Sequence, residues 1–248
     1  MIGENVKQVR NNEYPYIVSI VKISTVPTES IVHICTGTLI AKRDVITIGH
    51  CLINQHIWSI RVMVGSIHLD AGLKFYPLWW KMYNEWAEKN NFSHKNLIDD
   101  IAVMRLSEKI PANIKPVGLL TLSKSNLFGL NVTTAGWGLS NTGSLNNVME
   151  KVTLKILTDN EVNDRVLDVL GHELFVDPEI ICSASEPFAL LQFGDSGGPL
   201  LYNDMIIGVN IGTAPLPTQP THPKKINIHF NINHYRIFIL HVMNTRNN

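Results

Sequence analysis

Gly194-Asp195-Ser196-Gly197-Gly198-Pro199-Leu200 is the stretch on which the reading of this chain turns. Glycines set around one serine permit a backbone turn that residues with a Cβ resist. Such a turn leaves a hydroxyl exposed and aims consecutive backbone N–H groups into one concavity, the geometry that stabilises a developing oxyanion. Gly-Asp-Ser-Gly alone is also an ordinary glycine-rich turn. The full heptapeptide is far rarer, and two other segments accompany it: Thr47-Ile48-Gly49-His50-Cys51 and Asp99-Asp100-Ile101-Ala102-Val103. His50 follows an apolar run and precedes a cysteine. That sets it apart from the other histidines, His33 to His241, which read as surface or core residues without a chemical role. Asp100 leads straight into an apolar run, where an acid is costly unless paired.

Outward from these segments, short β-branched runs recur along the chain. They include Tyr16 to Val21, Thr38 to Ile40, Asp44 to Ile48, Ser59 to Val64, Ile101 to Leu106 and Ile206 to Ile211. Gly, Pro, Asn or Asp separates many of them, the pattern of an all-β sandwich or barrel. Asp159 to Leu170 predicts a helix capped by Thr158 with Glu161 three residues on. Asn233 to Met243 predicts a C-terminal helix from its apolar spacing. Trp79 to Trp86 fits either a strand or a helix, and Ala214 to Pro223 is a loop by composition.

The bulk numbers set bounds. Of 248 residues, 45% are hydrophobic and 17% charged, ample for a packed core. The formal net charge of +0 argues against a nucleic acid or an anionic membrane held by a global field. No apolar run approaches the length that spans a bilayer. The segment Met1 to Asn11 lacks the features of a signal peptide. Cys35, Cys51 and Cys182 form an odd set, so at least one thiol is unpaired or paired outside the chain. Asn91-Phe92-Ser93 and Asn131-Val132-Thr133 fit the glycosylation acceptor pattern and hint at secretion. No metal-ligand spacing of the His-Glu-x-x-His or paired-cysteine kind is present, and no cofactor is expected.

The order His50, Asp100, Ser196, each in its local motif, resembles the trypsin and chymotrypsin family of serine proteases. The likeness runs from Met1-Ile2-Gly3-Glu4 through Tyr14-Pro15-Tyr16 and Gly136-Trp137-Gly138 to the C-terminal helix. It implies an all-β fold of two packed six-stranded antiparallel barrels, roughly residues 1–115 and 116–248, with a cleft between them. It implies Ser196 as nucleophile, His50 as general base and Asp100 as the acid that orients it. The N–H groups of Gly194 and Ser196 would form the oxyanion hole, and Asn210-Ile211-Gly212 would pair with an extended substrate. Met1 and Asp195 would form the activating ion pair, and Cys35–Cys51 the disulfide beside the histidine. The partners implied are polypeptide substrates or protein inhibitors, met by a secreted monomer.

The likeness also has gaps. Cys182 lacks its family partner, and Val132, Gln192 and Leu201 or Tyr202 stand at or beside positions where further cysteines would be expected. The family's pocket floor falls on Leu190, followed by Leu191, with no aspartate to receive Arg or Lys. Asn227 would intrude from one wall, Ile211 replaces a tryptophan, and Ile48 would bring bulk beside the base. The expectation is an endopeptidase with a small or apolar primary pocket. The alternative is an inactive homologue that binds protein chains.

Overall fold

The computed structural model describes residues 1–23, 31–93, 99–172, 176–214 and 222–245. Of the Pro-rich loop, residues 215–221 lie outside them. The fold is built of two large, mainly antiparallel sheets, with a two-stranded one that pairs Ile2–Gly3 with Ala189–Leu190. In the first, β1 (Ile17–Ile23), β2 (Ile31–Leu39), β3 (Asp44–Ile48), β4 (Ile60–Val64), β5 (Leu73–Phe75), β6 (Pro77–Met82) and β7 (Ile101–Leu106) run in the order β5-β4-β1-β2-β3-β7-β6. Every residue of β3 and β7 is buried, which is why both read as mostly apolar runs with little alternation, their charges Asp44 and Arg105 paired with each other. Ile48 belongs to this core, 0% exposed, so its bulk does not crowd His50 as the sequence suggested.

The second sheet contains β8 (Gly118–Leu119), β9 (Asn131–Gly136), β10 (Glu150–Ile156), β11 (Ile180–Ala184), β12 (Pro199–Tyr202), β13 (Met205–Ala214) and β14 (Ile226–Asn231). Strands β13-β12-β9-β10-β11-β14 close on themselves through the β13–β14 pairing, making a six-stranded barrel. The first sheet forms a half-barrel against it. Val132 and Leu201, where cysteines were expected from the family, are buried as ordinary core residues.

The helix Asp159–Leu170 has the bounds read from the sequence, and Thr158 and Glu161 form a reciprocal capping box at its start. The ambiguous stretch Trp79 to Trp86 divides, running as strand to Met82 and as helix over Tyr83–Lys89. The last helix, Arg236–Asn244, begins three residues later than Asn233 because Asn231 Oδ1 accepts the Asn233 N–H and holds a turn there. Its buried face, Phe238, Ile239 and Val242, joins the core of the first sheet. Arg105 of β7 fixes its end, donating to the carbonyls of Val242, Met243 and Thr245 while paired with Asp44 at 2.7 Å. A cation on those carbonyls complements the helix dipole. Among the described residues, no helix is long and apolar enough to cross a membrane.

Candidate active site

His50 sits in the one-turn helix Gly49–Cys51 that follows β3. Antiparallel pairing sets Ile48 at the end of β3 opposite Ile101 at the start of β7. The residues just beyond, His50 and Asp100, therefore emerge at the same end of one strand pair. His50 Nδ1 lies 2.7 Å from Asp100 Oδ2. A carboxylate only accepts, so Nδ1 carries the proton and Nε2 is left as the acceptor nitrogen. The Cys35–Cys51 disulfide, with Cα atoms 6.1 Å apart, ties this turn to β2. Asp99 turns elsewhere: Tyr235 donates its hydroxyl to Asp99 Oδ1 at 2.7 Å.

Ser196 lies in the loop between the Ala189–Leu190 strand and β12. Gly194 there has φ 96°, where a Cβ would come within 2.9 Å of the His33 ring. The Gly194 carbonyl is held from behind. His33 Nε2 donates to it at 3.0 Å and Thr36 Oγ1 at 2.8 Å. Among the described residues, no hydrogen bond engages the N–H of Gly194 or of Ser196. Two unspent donors thus flank the serine hydroxyl. That hydroxyl donates to Ile211 O at 3.0 Å and makes no hydrogen bond to His50. A register shift in β13 between Asn210 and Gly212 takes Ile211 out of the ladder and frees its carbonyl for this contact.

Beneath the loop, the amine of Met1 lies 3.0 Å from Asp195 Oδ2, both side chains 0% exposed. Glu150 stands 3.6 Å from the same amine, and Leu139 O accepts from it at 2.8 Å. Asp195 also accepts from the N–H of Gly138 and of Gln192, each at 2.9 Å. The Gly136-Trp137-Gly138 motif has its reason here: a Cβ on Gly138 would come within 2.4 Å of the Asp195 carboxyl carbon.

Two buried histidines escaped the reading of the sequence. His33 accepts from Ser19 at 2.7 Å through Nδ1 and donates to Gly194; desolvation lowers its pKa to about 4. His229 is wholly buried, and desolvation lowers its pKa to about 3. It accepts from Ser183 at 2.7 Å and donates to Asn210 Oδ1 at 2.8 Å. Asn210 in turn donates to Thr134 Oγ1 at 2.7 Å and to Asp195 O at 3.3 Å. Ser183, His33 and Asp99 hydrogen-bond to these separate partners. No local sequence signal separates His33 or His229 from a surface histidine; their strand partners decide it.

A cavity of about 580 Å³ brings His50, Ser196 and Gly194 together with Leu191, Gln192, Phe193, Ile211, Gly212, Thr213 and Lys225. Leu191, Ile211 and Gly212 line it as the sequence suggested. Leu190, Asn210 and Asn227 do not, and stand behind its wall. Leu190 pairs with Ile2 in a short antiparallel bridge, which buries it. The Asn227 side chain is 0% exposed; it accepts from Leu191 N at 2.8 Å and donates to Ala189 O at 2.9 Å. It clamps β14 to the Ala189–Leu191 segment. Cys182 is a buried free thiol whose pKa burial pushes up to about 12, so it stays protonated and inert.

The profile of the family described as Trypsin matches residues 4–239. Trypsin iota of Drosophila melanogaster is 31% identical over 177 residues, covering 71% of this chain and 67% of the relative. Trypsin alpha-4 of Lucilia cuprina is 29% identical over 182 residues, covering 71% of this chain and 66% of that one. Among solved structures, neuropsin, a serine protease expressed in the limbic system of mouse brain, superposes with a TM-score of 0.76 over 98% of this chain and all of its own, at 20% identity. The chain belongs to the trypsin family of serine proteases and has its chymotrypsin-like fold.

Proposed function

We propose that this chain is a secreted serine endopeptidase. The carrying observation is that His50, oriented by Asp100 behind it, and a serine flanked by two free N–H donors line one cavity. Ser196 attacks the scissile carbonyl after its hydroxyl leaves Ile211 O for His50 Nε2. His50 takes the proton and later returns it to the leaving amine. Asp100 keeps the imidazole in the required tautomer and stabilises the imidazolium. The N–H groups of Gly194 and Ser196 receive the oxyanion, where one lost donor costs about 3–4 kcal/mol. The Met1–Asp195 pair holds the loop that carries both donors. An extended substrate lies along Ile211 and Gly212, which line the cavity. The primary pocket rejects Arg and Lys, because no carboxylate lines it, and takes a small or medium side chain against the apolar Leu191 and Ile211.

A second reading, an inactive homologue that binds chains without cutting them, draws on one observation: the Ser196 hydroxyl rests on Ile211 O rather than on His50. Cleavage of a peptide library decides between them. The wild-type chain should cut, not after Arg or Lys, and Ser196→Ala should lower turnover by about 10⁶-fold. Peptide binding without cleavage, unchanged by Ser196→Ala, selects the second reading.

A further inference from the structure

Lys225 precedes β14 and lines the same cavity as His50 and Ser196. Only 3% of the residue is exposed. Among the described residues, no hydrogen bond or ion pair engages its ammonium, and no Asp or Glu lines the cavity. Desolvation lowers its pKa, with no carboxylate acting in the other direction. A cation taken out of water without a partner is costly, and an incoming opposite charge relieves that cost. Leu191, Ile211 and Thr213 beside it offer apolar surface for a short stem. The neutral side chains of Gln55 and Gln192 add no competing charge.

We propose that Lys225 makes this cavity select a substrate with Asp or Glu on the acyl side of the scissile bond, the carboxylate pairing with the ammonium and the methylenes packing on Leu191 and Ile211. This rests on the reading of the cavity as the primary specificity pocket and names its substrate class. It also strengthens the rejection of Arg and Lys, since a second cation would meet the first.

The test compares peptides that differ only as Glu, Gln or Lys at that position. The wild-type chain should cleave the Glu peptide at least about 10-fold faster in kcat/KM than its uncharged isostere Gln, with the gap narrowing as salt rises. Lys225→Gln should bring the Glu to Gln ratio near 1, and Lys225→Arg should keep it. Equal rates for Glu and Gln in the wild type, or a ratio unchanged in Lys225→Gln, overturns the proposal. Binding of the same peptides to Ser196→Ala, read by fluorescence anisotropy, measures the preference without turnover. A Glu preference in binding with no cleavage therefore defeats the protease reading and leaves the role of Lys225 standing. Cleavage without any Glu preference does the reverse.

Discussion

Lowering the pH from 7 to 4 should withdraw about 3 kcal/mol of stability for each of His33 and His229. Both are neutral in the fold, with pKa values lowered from 6.5 to about 4 and about 3 by burial. A group whose folded pKa is depressed contributes its stabilisation above the unfolded value. It loses that contribution as the pH falls toward the folded one, because the unfolded chain takes up the proton first. The window is therefore pH 6.5 down to about 4 for His33 and down to about 3 for His229. Glu13 and Glu161, held ionised by Lys151 and by the helix cap respectively, lose stability in the same direction at lower pH. Asp44, raised by burial, acts oppositely. A combined loss near 6 kcal/mol is comparable to the whole stability of many domains. Denaturant unfolding at pH 7 and pH 4 measures it. His229→Gln, which cannot titrate, should show a fall smaller by about 3 kcal/mol. An identical fall in wild type, His229→Gln and His33→Gln would contradict the assignment.

Asp195→Asn should cost about 3–5 kcal/mol and most of the activity in a chain that begins at Met1. The carboxylate faces donors on both oxygens: Gly138 N–H on Oδ1, and Gln192 N–H with the Met1 amine on Oδ2. An asparagine turned either way points its NH₂ at another donor, and it leaves the buried ammonium to Glu150 at 3.6 Å. Loss of this anchor releases the turn that holds the Gly194 and Ser196 N–H groups. Thermal unfolding and turnover measured on the same preparation check it. A variant of wild-type stability with full turnover would show that the pair has no such role. Extra residues ahead of Met1 should lower turnover in the same manner, since no charged amine then reaches Asp195.

Much of this was legible in the sequence, for reasons that differ by residue. The strands β3 and β7 were read from short, mostly apolar runs, and burial on both faces leaves little alternation in them. The helix Asp159–Leu170 was readable because its cap is local: Thr158 and Glu161 need only each other. Family likeness carried Cys35–Cys51 and the Met1–Asp195 approach, neither of which spacing alone could assign. What stayed hidden depends on contacts across the chain. Leu190 looked like a pocket floor, yet its pairing with Ile2 turns it into the core. Asn227 was expected to intrude, and instead its amide spans Ala189 and Leu191. His33, His229 and Lys225 carry no motif. Each matters because strands far apart in sequence remove it from water. The Ser196–Ile211 contact follows from a bulge in β13 that no local pattern foretells.

Stoichiometric reaction with an organophosphorus fluoride probe reads the central claim most directly, because labelling needs a competent nucleophile, its base and the oxyanion donors but no particular side-chain preference. The chain with a free Met1 amine should take up about one equivalent, on Ser196, with none on Ser196→Ala and a greatly slowed reaction for His50→Ala and Asp195→Asn. No labelling of a folded wild-type chain, or labelling that persists in Ser196→Ala, would contradict the triad assigned to His50, Asp100 and Ser196.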